Sequence, residues 1–436
     1  MTAPSSRPTP VWLKELKRQL GPAVVGDPDV IEAYAVDWTG RFRGAPAALL
    51  RPRDVAGVMA VLEASSRHGF AVVPQGGNTG LVGATMAPEG AALLNLGHLD
   101  DLGEPDRTGS MVAGAGATIA AVQESASRRD LVFGLDMGSR DSATVGGALA
   151  TNAGGLLAWH WGRMRSQVTA VELVLADGSR VSTLDDRGGA GLDPVGVLAG
   201  SEGTLGVVTA ARLQLRPPPG PTLVVLAGFD RLSRILEFLA AAPPLMGAEV
   251  FRRAEMEMVT RHTGRGEPLG PSPWYVLVEL EERHAGELPA PAQAVTGREL
   301  WVYRDRITES LATQGVIHKF DVVVSSSRLE QLVERLAARL EPDRLFVFGH
   351  VLMDDFHLNV APAHPGGAVP GTVDEAVYAA VEEAGGRVAG EHGAGRAKGD
   401  RLRASLPPGH RRIADSIKRA LDPEGRLNPG VGAARL

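Results

Sequence analysis

Short apolar runs alternate along this chain with stretches whose apolar residues recur every three to four positions, and that alternation predicts an α+β protein. Phe70-Ala71-Val72-Val73 reads as a buried strand ended by Pro74. Asp54 to His68 reads as an amphipathic helix, Ala170 to Leu175 as a strand entering an Asp177-Gly178 hairpin turn, and Val207 to Leu215 as a closing strand. The segment Arg216-Pro217-Pro218-Pro219-Gly220-Pro221 holds neither helix nor central strand, so it ends a first domain, residues 1–216. Strands then follow at Leu223 to Phe229, Trp274 to Glu281, 316–324, Leu345 to Val351 and Phe356 to Val360. Helices are predicted over Arg231 to Ala241, 298–313 and Thr372 to Ala384. This order suits an antiparallel α+β second domain, residues 222–406. After Pro407-Pro408, the helix Gly409 to Leu421 and the turn Asn428-Pro429-Gly430 form a last segment, 407–436, expected to return to the first domain.

Glycine is concentrated where backbone is expected to meet a ligand. Pro74-Gln75-Gly76-Gly77-Asn78-Thr79-Gly80-Leu81-Val82-Gly83 follows an apolar run, and its small residues let main-chain N–H groups approach an anion such as a pyrophosphate. A second cluster runs from Gly134 to Gly138 and on through Thr144-Val145-Gly146-Gly147 to Gly154-Gly155. A third is Gly200-Ser201-Glu202-Gly203-Thr204-Leu205-Gly206. A tight surface turn explains any one of them alone; three in one domain favour a flat, extended cofactor. None has the Gly-x-Gly-x-x-Gly spacing of a nicotinamide-binding elbow.

Composition removes several classes. The 436 residues contain no cysteine, which excludes disulfides, thiolate zinc sites, iron–sulfur clusters and cysteinyl flavin links. A formal net charge of −6 argues against a nucleic-acid footprint. Met1 to Pro10 lacks an apolar core and reads as a frayed tail, and nothing reaches eighteen consecutive apolar residues, so a cytoplasmic protein with at most peripheral membrane contact is expected. Asp100-Asp101 and Asp185-Asp186 read as solvated loop charges.

Four further groups carry chemistry. In a hairpin centred on Met353-Asp354, His350 and His357 stand directly opposite each other with Cβ atoms ~5 Å apart, close enough to chelate one divalent ion, and Asn359 shares their face. Two histidines packed on a sheet surface are the alternative. Gly390-Glu391-His392-Gly393 holds a carboxylate and an imidazole between glycines, as a ligand-facing loop would. Two histidines and one carboxylate leave open metal positions, the arrangement of a catalytic site. In the helix over 298–313, Leu300, Arg304, Ile307 and Leu311 form one stripe with Thr308 on the same face, which buries a guanidinium that needs an anion: Asp321, Glu309 or a ligand. Lys319 brings a second cation on the next strand.

Taken together, PQGGNTGLVG, TVGGALATNAGG, GSEGTLGVVT and Asn428-Pro429-Gly430 resemble the vanillyl-alcohol-oxidase, or PCMH-type, flavoproteins. Within these the chain is similar to the branch holding D-2-hydroxyglutarate dehydrogenase, D-lactate dehydrogenase and the glycolate oxidase catalytic subunit. The resemblance implies a two-subdomain FAD-binding domain plus an antiparallel-sheet substrate (cap) domain. It implies FAD at Pro74, Gly76, Gly77, Asn78, Thr79, Gly80, Gly138, Ser142, Thr144, Gly147, Thr151, Asn152, Val208 and Asn428. Where many relatives carry a flavin-linking histidine this chain has Asn78, so non-covalent FAD is expected. His350, His357 and Glu391 match ligands of a zinc-like ion and His392 the catalytic base, while Arg304, Thr308 and Lys319 match a substrate-carboxylate clamp; Asn359, on the face of the two histidines, is expected to bind substrate beside them. The implied reaction oxidises a D-2-hydroxy acid to the 2-oxo acid by hydride transfer to flavin N5; the alternatives are a FAD enzyme of the same fold acting on a different hydroxy acid or a sugar-derived alcohol, and a catalytically silent flavin-binding subunit. Electrons would pass on to an electron-transfer flavoprotein or a quinone, and a homodimer is compatible with all of this. One departure stands out: relatives have Gly-Asp-Gly-Asn in the hairpin, whereas this chain has Leu352-Met353-Asp354-Asp355.

Overall fold

A computed structural model describes residues 10–185, 191–364 and 366–433. Residues 1–9 of the expected tail, Met1 to Pro10, and Asp186 lie outside the described residues. The chain divides into two compact units: Met1–Ala153 with Arg163–Pro217 and His392–Leu436, and Gly154–Gly162 with Pro218–Glu391.

The first unit is built on two small sheets. Strands β1 (Val24–Val25), β2 (Ala48–Leu50), β3 (Val72–Gln75) and β4 (Ala92–Asn95) pair in the order β1-β2-β4-β3, parallel except for β1. Pro74 does not end its strand: it pairs with Leu94 inside β3. Val72 donates its amide to Arg426 on the side away from β4, and Pro74, two residues on, turns its hydrogen-free nitrogen to that same side, where the sheet needs no donor. The helix Val55–His68 begins where Asp54 accepts the Gly57 amide at 2.8 Å and stops at left-handed Gly69. Its buried Val58, Val61 and Leu62 join Val72 and Leu94 in one core. The second sheet, β5 (Ser110–Gly114), β6 (Val168–Val174), β7 (Arg180–Ser182) and β8 (Val207–Gln214), is antiparallel in the order β5-β8-β6-β7. The Asp177-Gly178 turn joins β6 to β7.

The second unit is a seven-stranded antiparallel sheet with strands β9 (Thr222–Phe229), β10 (Gly247–Arg252), β11 (Trp274–Glu281), β12 (Ala294–Thr296), β13 (His318–Val323), β14 (Arg344–His350) and β15 (Asp355–Ala361). Their order is β12-β9-β11-β10-β14-β15-β13. Strand alternation sorts the side chains cleanly. Val225, Val250, Val276, Val347 and Leu358 pack one face against the helices Leu232–Ala240, Ser326–Leu340 and Thr372–Glu383. Leu226, Phe251, Leu277, Phe346 and Phe348 on the other face pack against Met256, Val259, Tyr303 and Ile307. The sequence reading leaves β10, Arg253–Thr263 and Ser326–Leu340 unassigned.

Two expectations for this unit change. The stretch 298–313 is not one helix but a 3₁₀ turn, Arg298–Trp301, and two short helices, Val302–Asp305 and Ile307–Ala312, meeting at Arg306 with φ −82° and ψ 0°. The four-residue spacing therefore does not align Arg304 with Thr308: Arg304 is buried and Thr308 exposed. In the β14–β15 hairpin, His350 pairs with Asp355 and Phe348 with His357, so the two histidines are diagonal neighbours, not opposite ones. The turn sits one residue earlier than expected because Val351–Met353 forms a 3₁₀ turn and Asp354 takes φ 57°.

Candidate functional site

The metal-type cluster grows from strand alternation in the second unit. Asp355, His357 and Asn359 on β15, Lys319 and Asp321 on β13, His350 on β14 and Glu249 on β10 all project from the Phe346–Phe348 face. Each follows from the Cα pairings Asp321–His357, Lys319–Asn359, His350–Asp355 and Glu249–His350. Because the one-residue slip of the turn keeps strand parity, His350 and His357 still share a face, with ring centroids 6.1 Å apart. Glu391 comes to them on a loop anchored by Asp321, whose buried carboxylate accepts the Gly390 amide at 2.9 Å and the Glu391 amide at 3.2 Å. A Cβ on residue 390 would collide with Asp355 and Asp321, which is why glycine precedes the glutamate.

His350 Nε2 lies 3.5 Å from one Glu391 oxygen and His357 Nε2 3.3 Å from the other. Ligand atoms ~2.1 Å from a shared ion in tetrahedral directions stand about 3.4 Å apart, so the donor set and its spacing fit a divalent cation. All three ligand atoms lie within 4.8 Å of one another. Burial favours the neutral acid at Glu391, but His350 and His357 outweigh it and hold the carboxyl well below its usual range. Burial likewise lowers His350, and the flanking carboxylates of Glu249 and Glu391 override it and push the imidazole up to about 10.

Glu249 is the residue that sequence reading missed. Fully buried, it contacts His350 Nδ1 through Oε1 and Arg304 Nε through Oε2. Neither Asp321 nor Glu309 pairs with Arg304: Asp321 holds the 390–391 loop, and Glu309 pairs with His262 and Arg306. The signal was present as a lone acid within the apolar run Met246 to Phe251. Arg304 also lies 4.6 Å above the Phe348 ring. Lys319 is half-buried, and the loss of water lowers its pKa. Asn359 Nδ2 is buried with no hydrogen-bond partner among the described residues, which suits a group that meets a ligand.

In the first unit a cleft is lined by Pro74, Gly76, Thr144, Gly147, Thr151, Val208 and Asn428 of the expected cofactor residues, together with Gln75 and Glu202. Gly76 and Gly77 are forced by packing as well as by any ligand, since Cβ atoms there would strike Thr144 and the Ser142 backbone oxygen. Gly80 and Gly138 border open space. Asn152, with φ 50°, caps Val145–Thr151 and accepts the Arg165 amide at 3.0 Å. Asn78 Nδ2 donates to Val36 at 2.8 Å, and Asn78 Oδ1 accepts from Thr85 at 2.8 Å, so both ends of its amide brace neighbouring loops. Asn428 donates to Ala84 and Glu202, while its buried Oδ1 finds no partner among the described residues. A small-residue cleft carrying an orphaned acceptor fits FAD. The chain passes from the second unit to the first between Glu391 and His392. Just beyond, Glu202 accepts the Gly395 amide at 2.9 Å.

Two family models match the chain, "FAD binding domain" over residues 46–184 and "FAD linked oxidases, C-terminal domain" over residues 221–431. The mitochondrial D-2-hydroxyglutarate dehydrogenase of Bos taurus is 33% identical across 96% of this chain and 82% of its own length. D-2-hydroxyglutarate dehydrogenase of Stutzerimonas stutzeri (strain A1501) is 28% identical across 97% and 98%. Among solved structures, p-cresol methylhydroxylase with substrate bound superposes with a TM-score of 0.79 at 16% identity, covering 97% of this chain and 96% of that one. The chain belongs to the FAD-linked oxidases with a PCMH-type FAD-binding domain.

Proposed function

We propose that this protein is a FAD-dependent, metal-assisted dehydrogenase that oxidises a D-2-hydroxy acid, of the D-2-hydroxyglutarate or D-lactate kind, to the 2-oxo acid. The observation that carries this is the meeting of His350 Nε2, His357 Nε2 and the Glu391 carboxylate at ion-binding spacing, on the sheet face that also presents Lys319 and Asn359. The names of its relatives support the same substrate class.

When bound, FAD in the first unit's cleft supplies a hydride acceptor, and a divalent ion on His350, His357 and Glu391, zinc by resemblance, supplies a Lewis acid. Asn78 in place of a linking histidine supports non-covalent FAD. His392, next in sequence to the Glu391 ligand, takes the proton of the substrate hydroxyl. Arg304, Lys319 and Asn359 hold the acid's carboxylate oxygens, so that the Cα hydrogen keeps one orientation and the D enantiomer is selected; Thr308, exposed and out of line with Arg304, is left out of the clamp. Buried Asp355, opposite His350, favours a second reading in which the acid carries no distal carboxylate, because another anion beside this aspartate is disfavoured.

Anaerobic bleaching of the flavin by a panel of D- and L-2-hydroxy acids tests the proposal. D acids bleach it and L acids do not, and D-2-hydroxyglutarate against D-lactate separates the two readings. Chelator-treated protein stays yellow but is not reduced until Zn²⁺ or Mn²⁺ is restored. H392A keeps the bound-flavin spectrum and loses reduction by substrate; rapid bleaching of that variant would remove the proton-accepting role from His392.

A further inference from the structure

Glu249 takes no part in the chemistry above, yet it touches two groups that do. On its sheet face stand Phe251 of the same strand, Leu277 on β11 and Leu226 on β9, and an apolar residue at position 249 would continue that core without the cost of burying a charge. Instead a fully buried carboxylate stands in register with His350, its Oε1 against Nδ1 of that imidazole and its Oε2 against Nε of Arg304. We infer that Glu249 is a positioning residue that sets the tautomer of His350 and the plane of Arg304 with one side chain.

With a divalent ion bound, His350 is a neutral imidazole that keeps its proton on one nitrogen, and a carboxylate at Nδ1 keeps it there. The Nε2 lone pair is then the one directed at the locus shared with Glu391, 3.5 Å away. Arg304 is held at Nε and stacked on Phe348, which leaves its terminal Nη edge to receive a substrate carboxylate in bidentate fashion. Metal site and acid clamp are thus joined through one residue. The inference rests on the metal-assisted reading above.

The test measures the Zn²⁺ dissociation constant of the FAD-loaded protein by competition with a chromophoric chelator, for the native chain and for E249Q, R304Q and H350A. Removal of a carboxylate behind a metal-bound histidine weakens binding roughly 10- to 100-fold, and E249Q is expected to show that loss with its flavin spectrum unchanged. R304Q is expected to stay within about threefold of the native chain, because Glu249 still holds His350. The pair E249Q/R304Q leaves neither partner as an unmatched buried charge and is expected to reproduce the loss in E249Q, which keeps the inference open to refutation if E249Q alone folds poorly. At saturating Zn²⁺, E249Q is expected to raise KM for the hydroxy acid more than it lowers kcat. Native-like Zn²⁺ affinity in E249Q or in the pair, with binding abolished in H350A, overturns the inference and leaves the metal site standing. Equal, negligible Zn²⁺ binding by the native chain and H350A removes the metal reading and this inference with it.

Discussion

Gly77 and Gly80 lie three residues apart in one loop, and a methyl group meets opposite surroundings at the two. At Gly77 it would overlap the backbone oxygen of Ser142, an atom that cannot rotate away, whereas at Gly80 nothing lies within 4 Å. G77A is therefore expected to cost about 3 kcal/mol and to lose FAD during purification, while G80A stays within about 0.5 kcal/mol of the native chain in the absence of cofactor. Urea unfolding of the apoproteins and flavin content of the purified variants check both. A glycine-rich segment announces close approach in the sequence, but not to what. The density of glycines in 74–83 was legible; that Gly76 and Gly77 are filled against Thr144 and Ser142 was not, because the partner is some seventy residues away. Glu249 was obscured for the same reason, since its meaning lies in Arg304 and His350, on other strands and helices.

Asp354 governs the hairpin that carries the two imidazoles. It adopts φ 57°, and its Oδ1 accepts from the Ser326 amide at 2.7 Å and the Ser326 hydroxyl at 2.6 Å, so the hairpin turn supplies the cap for the helix Ser326–Leu340. D354A loses both the cap and a residue tolerant of left-handed backbone, for an expected loss of about 2 kcal/mol; D354G restores only the backbone and D354N most of both. Chemical denaturation of the three variants gives the order Asn, Gly, Ala; equal losses in all three would show that the turn is not held from this side chain. The same contact explains why the hairpin centre was misplaced from sequence. Turn position was inferred from the apolar runs alone, and the bond from Asp354 to Ser326 pulls the turn back by one residue. The face of each histidine was nevertheless legible, because parity along a strand survives such a slip. Helical periodicity across 298–313 failed differently: the apolar stripe is real, with Leu300, Ile307 and Leu311 buried, but the backbone breaks at Arg306 and the polar residues between lose the expected alignment.

Across the whole molecule, each unit closes its own core, and the charges buried within those cores tie stability to pH. Glu202 is the clearest case. It is enclosed beside the flavin cleft, and burial raises its carboxyl to about 7, against the opposing pull of the Gly395 and Ala394 amides and Lys398. The unfolded chain holds the same group near 4.5. Between these values the native state carries more protons than the unfolded one, so the contribution is fully present below 4.5 and is lost as pH rises through 7. A shift of that size corresponds to about 3 kcal/mol of stability. E202Q, which cannot ionise, keeps a constant contribution at every pH. Plotted from pH 4.5 to 8, the difference in unfolding free energy between E202Q and the native FAD-loaded protein is expected to grow in favour of E202Q by about 3 kcal/mol, most of it between pH 5 and 7. Other titrating groups are common to both proteins and cancel. Parallel curves would mean that Glu202 stays ionised in the folded chain, held by the amides it accepts.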